Sequence, residues 1–377
     1  MLYASLQPRL TGPMPNDTQL LMLLQAHLAP YTNFHKQRLR FVAAFLRALI
    51  QLSTVNLAKL ALVFSAKPAS NYRRIQRFFA EATLPQQAIA SLVLHLLPVK
   101  DRFIISVDRT EWHFGKTPIN IFMASLVYEG TAFPLVWIML GKAGSTSGAE
   151  QRGLLRKLLL VLPPERIRVV LADREFIGGA FMSYLTGRGV GYGVRIRKNA
   201  RVAFRGQNQR AACLFQDLAV GQHRRLRARR LLYGQQVWLY GLRLPDTARG
   251  ERRLLLVAGT VRRLLRLYRK RWGIEVLFAG LKSRGFDFET THLCIQQRLS
   301  TLVGLLALAY SFAHATGRYL AAHTPIRLKR HGRRARSLFR LGLDHLRHVL
   351  LRRLDHLWHE LLALFVQGSL GPALVPI

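Results

Sequence analysis

The chain has 377 residues, half of them hydrophobic: enough for two domains or one large domain with insertions, and too apolar for a globally disordered chain. Lys and Arg number 57 against 19 Asp and Glu, a formal charge of +38, and 46 of those cations are arginine, whose planar fork grips phosphate oxygens in pairs. That excess points to a polyanion, nucleic acid ahead of an anionic membrane. The two cysteines, Cys213 and Cys294, make neither a disulfide framework nor a CxxC zinc site and suit a reducing, cytoplasmic compartment.

Met1–Pro30 holds no charged stretch leading into an apolar run, so no secretory leader is expected. Residues 1–98 read as an all-α domain. His35–Leu52 has helical periodicity, and Thr54–Phe64 repeats apolar residues three and four apart. Lys67 to Asn71 is a break, with Ser70 or Asn71 placed to cap a helix that opens at Tyr72 and carries Arg73, Arg74 and Arg77. Helix, short turn and basic helix suit a major-groove reader, although a plain helical bundle with a solvated basic face has the same pattern.

From residue 101 the character changes, and residues 99–320 are expected to form a separate α/β domain. Arg102–Val107 is a β-rich run ending at Asp108. Asn120–Tyr128 and Phe133–Leu140 follow, joined by a hairpin turn at Glu129-Gly130-Thr131. A Gly/Ser loop over 141–148 leads to a helix over 149–162, then a strand over 166–172 that again ends in an acid, Asp173. A helix over 178–188 and a strand over 191–197 complete an α/β order that matches an RNase-H-like core. Residues 199–258 are Arg-rich and β-branched, punctuated by Gly206, Gly221, Gly234 and Gly241, and read as a β-rich insertion. A long helix is expected over 261–282. Leu299–Thr316 has no charged residue and is long enough to cross a bilayer, but it contains Ser300, Thr301, Ser311 and His314, so a helix buried in protein is expected, not a membrane span. Residues 321–377 read as a basic helical tail, with seven Lys/Arg and no acid in Arg327–Arg340.

Acids are scarce enough that two apolar strands ending in Asp108 and Asp173 stand out. If those strands are neighbours, both carboxylates project at one sheet edge, where active-site groups collect. Phosphate repels carboxylate, and Mg²⁺ reconciles the two: it prefers oxygen ligands, and two ions roughly 3.5–4 Å apart can serve the attacking and leaving oxygens. Strand-terminal caps would look the same. Glu111 and Glu175 lie three and two residues away, and Glu175 shares a face with Asp173 if the chain stays extended. Tyr268, Arg271, Glu275 and Lys282 lie at offsets 0, 3, 7 and 14, which at about 100° per residue confines them to a helical stripe about 60° wide. Phenol, guanidinium, carboxylate and ammonium make a poor core seam but suit a phosphodiester. The plain alternative is an exposed helix with an Arg271–Glu275 pair worth about 0.2–0.5 kcal/mol. Trp112, Trp238 and Trp272 are expected in the core, with base stacking as the alternative.

The Tyr-x2-Arg-x3-Glu-x6-Lys spacing resembles the signature of DDE transposases of the insertion sequence 4 family. Ile104 to Asp108 resembles the segment around the family's first catalytic Asp, and Leu171 to Phe176 that around the second. Lys282 to Phe286 and Thr291 to Leu293 are also similar, and the likeness covers about residues 50–315. It implies an RNase-H-like fold with a β-rich insertion before the Glu-bearing helix. It implies catalysis by Asp108, Asp173 and Glu275 holding two Mg²⁺ ions, with Mn²⁺ as a substitute. Arg271 and Lys282 would hold phosphates, and Tyr268 would support a distorted DNA end. The implied activity is cut-and-paste transposition at terminal inverted repeats, on double-stranded DNA, by a homodimer. A structure-specific nuclease and a non-catalytic DNA-binding regulator are the competing functions.

Overall fold

The computed structural model describes residues 17–247, 250, 253–330 and 332–367. The first 16 residues of the segment expected to lack a leader, residues 248, 249, 251 and 252 of the expected insertion, and residues 331 and 368–377 of the expected tail lie outside the described residues.

Five helices open the described chain: α1 (Thr18–Leu28), α2 (Lys36–Leu52), α3 (Leu57–Ala61), α4 (Pro68–Glu81) and α5 (Gln86–His95). In α2 the buried residues Leu39, Val42, Phe45, Leu46 and Leu49 recur every three or four positions, the stripe a half-buried helix needs. The helix expected over 54–64 is limited to α3, capped by Asn56, whose side chain accepts from Lys59 N at 3.1 Å. Neither Ser70 nor Asn71 caps α4, which starts at Pro68, where a missing N–H costs nothing. Asn71 is instead buried inside α4, and its amide donates to the Ala61 and Ala66 carbonyls, locking the turn between α3 and α4.

The eleven strands among the described residues form one mixed sheet in the order β3-β2-β1-β4-β5-β11-β10-β9-β6-β7, with β8 on β10. They are β1 (Phe103–Phe114), β2 (Thr117–Tyr128), β3 (Thr131–Leu140), β4 (Ile167–Ala172), β5 (Tyr192–Ile196), β6 (Arg201–Phe204), β7 (Gln207–Arg210), β8 (His223–Arg225), β9 (Arg230–Leu232), β10 (Gln235–Leu244) and β11 (Arg253–Gly259). β1, β2 and β3 are antiparallel neighbours, whereas β1, β4 and β5 run parallel. The β2–β3 turn, Glu129-Gly130, has positive φ at both residues, the twist-matched two-residue hairpin. Between β3 and β5 lie α6 (Gly148–Val161), opened by a Ser147/Glu150 capping box, and α7 (Gly179–Gly187). The strand expected to stop at Asp108 continues to Phe114, because its polar half pairs with Thr117–Phe122 of β2. The strands of 199–258 extend the central sheet: β11 pairs with β5, and β10 with β11.

Five further α-helices among the described residues cover and close the fold. The helix expected over 261–282 is in two pieces, α8 (Leu264–Tyr268) and α9 (Gly273–Leu281), joined by a 3-10 turn over Arg269–Trp272. Next comes α10 (Gln296–His323), apolar on every side and buried throughout from Thr301 to Gly317, where α2, α5, β3 and α11 (Leu338–Leu351) enclose it. Its apolar stretch is thus a core helix, as its hydroxyls and His314 lead one to expect. The basic run expected to be helical is irregular until Ser337 caps α11. Like charges with no acid four residues away give a helix nothing to gain, and Gly332 sits at φ +74°. After α11, α12 (Asp355–Val366) packs on α1, and half-buried Asp17 ties the two: it pairs with Arg47 of α2 at 3.1 Å and accepts from Trp358 of α12 at 3.3 Å. The first and last described helices therefore share one helical layer around α10.

Candidate active site

Parallel pairing of Val107 with Ala172 sets Asp108 and Asp173 side by side, one on β1 and one just past the end of β4. Helix packing brings the third acid. The α8–α9 segment crosses one face of the sheet, seated by glycine at its start and at its middle. A Cβ on Gly193 would stand 2.3 Å from Leu264, and one on Gly273 would stand 2.8 Å from the Thr131 carbonyl oxygen. Arg271, in the 3-10 turn, then reaches Asp108: Nη1 donates to Oδ2 at 2.7 Å, and Nη2 donates to Glu275 of α9. The Tyr268 hydroxyl donates to Asp173 Oδ1 at 3.4 Å, and Arg195 of β5 lies 3.8 Å from the same oxygen.

Electrostatics follow from this crowding. Burial pushes the Asp108 carboxyl up to about 6; Arg271 opposes that shift, and the nearby Asp173 and Glu275 charges add to it. Burial also pushes the Tyr268 phenol up, so it remains a hydrogen-bond donor at neutral pH. Burial works against the charge of Arg271, but Tyr268 and the three acids outweigh it and raise its pKa.

Structure separates the neighbouring acids from this trio. Arg109 donates Nε to Glu175 at 2.6 Å and Nη1 to Glu111. Both carboxylates also accept from the Gly/Ser loop, Glu111 from Gly144 N at 3.2 Å and Glu175 from Thr146 N at 3.4 Å. The Arg109 hydrogen bond holds the Glu111 carboxyl below its ordinary value. Glu111 and Glu175 thus brace the loop beneath the site.

Of the expected stripe, Tyr268, Arg271 and Glu275 meet at the acids and Lys282 does not. Lys282 follows the last turn of α9 with ψ −135°, pairs with Glu289 at 2.8 Å and lies 5.0 Å from the Trp112 ring. The helix stops there because the chain folds back so tightly that a Cβ on Gly285 would stand 2.0 Å from the Gly280 carbonyl oxygen. Arg73, Arg74 and Arg77 are exposed on α4, with Ile75, Phe78 and Phe79 turned inward and Arg74 over the Phe41 ring at 5.3 Å. Of the tryptophans, Trp112 is buried, Trp238 half-buried and Trp272, beside Arg271, is 62% exposed.

Sequence reasoning missed two features. Arg109 and Arg195 reach the site through strand neighbours that no spacing displays. A second feature is an open pocket of about 550 Å³ between β8, β10 and the start of α8, lined by His223, Arg225, Tyr240, Arg262, Arg263, Leu265 and Arg266. Arg225 and Arg229 stack on Trp238 there, at 4.6 and 5.4 Å. The dense basic run from His223 to Arg230 was its visible signal.

Asp108, Asp173 and Glu275 offer only carboxylate oxygen, the donor type hard divalent ions take. Their arrangement is another matter: among the described residues no three acids, histidines or cysteines stand grouped to hold one ion. The Arg271 guanidinium occupies the space between two of the three.

Comparison with known proteins supplies the class. Residues 100–312 match the family model described as transposase DDE domain, more than half of the chain, and the chain belongs to that family. It is a transposase-type nuclease, and DNA binding, DNA recombination and the use of divalent metals go with the class. No curated protein matches the chain. A matching solved structure, endonuclease V from Bacillus subtilis, is 11% identical over 63% of this chain and 92% of that one, with a TM-score of 0.26, too low to carry weight.

Proposed function

We propose that this transposase moves an insertion sequence of the insertion sequence 4 type by cut-and-paste, cleaving and joining double-stranded DNA at terminal inverted repeats, as a homodimer in the cytoplasm. The observation that carries the reading is a concentration of charge opposite to the rest of the molecule. Five of only 19 acids gather around β1 and the end of β4 in a chain of +38, paired with three arginines. A DNA backbone approaching that region is repelled unless divalent cations come with it. An RNase-H-like core is supported by the order β3-β2-β1-β4-β5, with Asp108 midway along β1 and Asp173 just past the end of β4.

Under this reading residues 1–98 recognise the element's ends, with Arg73, Arg74 and Arg77 facing the backbone; residues 99–320 do the chemistry, and the basic tail adds phosphate contacts. Asp108, Asp173 and Glu275 hold Mg²⁺, for which Mn²⁺ substitutes. When bound, such ions ease deprotonation of an attacking oxygen and offset charge on a leaving one. In the first step water oxygen bonds to phosphorus and the P–O3′ bond breaks, leaving a 3′-OH and a 5′-phosphate. In the second that 3′-OH attacks another phosphodiester, exchanging one P–O bond for another. Arg271 and Lys282 neutralise phosphate oxygens, and Tyr268, kept protonated, donates a hydrogen bond.

Cleavage of labelled DNA carrying the element's flanking ends, with Mg²⁺, Mn²⁺ or EDTA, tests this. Wild type should cut only with metal, and Asp108→Ala, Asp173→Ala and Glu275→Ala should bind the same DNA without cutting it. Tight binding with no cleavage in any metal would make the chain a DNA-binding regulator. Cleavage set by DNA shape, indifferent to the element's ends, would make it a structure-specific nuclease.

A further inference from the structure

Each carboxylate assigned above to divalent ions already has a partner from the chain, but the partners differ in grip. Asp173 is held loosely, by a Tyr268 hydroxyl at 3.4 Å and by Arg195 at 3.8 Å, whose side chain is 42% exposed. Asp108 and Glu275 share one guanidinium: Arg271, 11% exposed, gives Nη1 to Asp108 at 2.7 Å and Nη2 to Glu275. Two N–H groups on two different carboxylates make a bridge, and the bridge lies where an ion shared by those carboxylates would have to sit.

Three facts decide what can move. The Arg271 main chain is fixed, since its carbonyl accepts from the Ser106 hydroxyl at 3.3 Å and the next-but-one residue, Gly273, is pressed against Thr131. The side chain is therefore the mobile part. The neighbouring cations lie on other acids, Arg109 on Glu111 and Glu175 and Arg195 against Asp173, so Arg271 alone bridges Asp108 and Glu275. And a divalent ion shared by Asp108 and Glu275 would lie where the guanidinium now sits, with like charges in contact if Arg271 stayed. What could draw the guanidinium off is another anion that accepts two parallel N–H bonds, and the DNA phosphodiester, with its two non-bridging oxygens, is one.

We infer that Arg271 is a latch with two positions, closed across Asp108 and Glu275 in the DNA-free protein and open on a phosphate when DNA is bound. The site then admits divalent ions with or after the nucleic acid, not before it. The protein free in solution is held inactive by its own arginine, and DNA and metal bind cooperatively, each raising affinity for the other by the same factor. This rests on the reading that the three carboxylates hold metal.

The test is calorimetric titration of Mn²⁺ into the full chain without DNA, on wild type, Arg271→Met, Arg271→Lys and the double variant Arg271→Met with Asp108→Asn. Thermal melts in EDTA confirm that each is folded. Arg271→Met should bind Mn²⁺ about tenfold tighter than wild type or more, within the usual range of such couplings. Arg271→Lys keeps the charge but spans only one carboxylate at a time, so its affinity should fall between the two and decides the matter if the Met variant does not fold. The double variant should lose the gain, which locates it at Asp108. Equal Mn²⁺ affinity in wild type and both single variants overturns the latch while leaving the metal reading standing. No Mn²⁺ binding in any of them, together with cleavage that survives EDTA, overturns both.

Discussion

Arginine has opposite surroundings at the two sides of the central sheet. At the β1–β4 edge Arg109, Arg195 and Arg271 all lie against carboxylates, and the acids outnumber them. Around the outer strands and the turn into α8, Arg225, Arg229, Arg262, Arg263 and Arg266 make no ion pair among the described residues, and two of them lie over the Trp238 ring. The first group is spent within the protein and shapes a site; the second keeps its charge available. A single net charge for the chain hides this division. It says that DNA affinity should reside mainly in the outer strands and the α4 surface, and that the acid edge should govern what happens to DNA once it is held.

The largest effect should come from stripping the outer group. Replacing Arg225, Arg262, Arg263 and Arg266 together with alanine should weaken duplex binding on the order of 10²-fold near physiological salt and flatten the log–log salt slope by about 3–4. Fluorescence anisotropy across a salt series reads both. An unchanged slope would mean that these side chains do not meet the backbone, and the division between the two groups would fail.

Next in size is the brace on the other side. Arg109→Met leaves Glu111 and Glu175 without their shared cation and frees the loop over 141–147. Denaturant melts should show a loss of about 1–3 kcal/mol. End cleavage should drop about tenfold or more, because small displacements of reacting groups are costly. Duplex affinity should stay within about twofold if charge at this edge does not set binding.

A third kind of charge site sharpens the contrast, one with no hydrogen-bond partner at all. His314 is buried in α10 against Phe133, with neither ring nitrogen hydrogen-bonded, and burial, aided by Arg318 and Arg334, lowers its pKa to about 3. The sign follows from linkage. The unfolded chain takes up the proton near the ordinary value while the folded chain refuses it. Stability from this residue is therefore whole above about pH 6.5 and falls by about 1.4 kcal/mol per unit below it. Urea melts at pH 7.5 and pH 5 should show wild type losing about 2 kcal/mol more than His314→Leu on acidification.

How much of this was legible beforehand depends on how local each cause is. The β-β-β-α-β-α-β order was readable because each apolar run carries its own period and its own turn residues. The juxtaposition of Asp108 and Asp173 could be stated only as conditional, since it depends on β1 and β4 pairing in parallel. The end of β1 was misplaced because Arg109–Phe114 is polar enough to resemble a loop until β2 pairs with it. The single stripe over 268–282 failed at Lys282 for a tertiary reason: Gly273 on Thr131 and Gly285 on Gly280 fix where the segment turns and where it stops, and neither contact has a sequence period. Asn71 misled similarly, a residue type that favours caps being used here to tie α3 to α4.

The smallest expected effect separates charge from preorganisation on the outer strands. Trp238 adds no charge, yet the Arg225 and Arg229 guanidinium carbons lie over its ring, 4.6 and 5.4 Å from the centroid. Exposed cation–π contacts are worth about 0.5–1 kcal/mol, so Trp238→Leu should weaken duplex binding only about two- to fivefold. The salt slope should not move, because every phosphate-facing cation remains. A changed slope would show that the tryptophan positions those cations on the backbone outright; no loss of affinity would show that the stacking serves the fold of β8 and β10 alone.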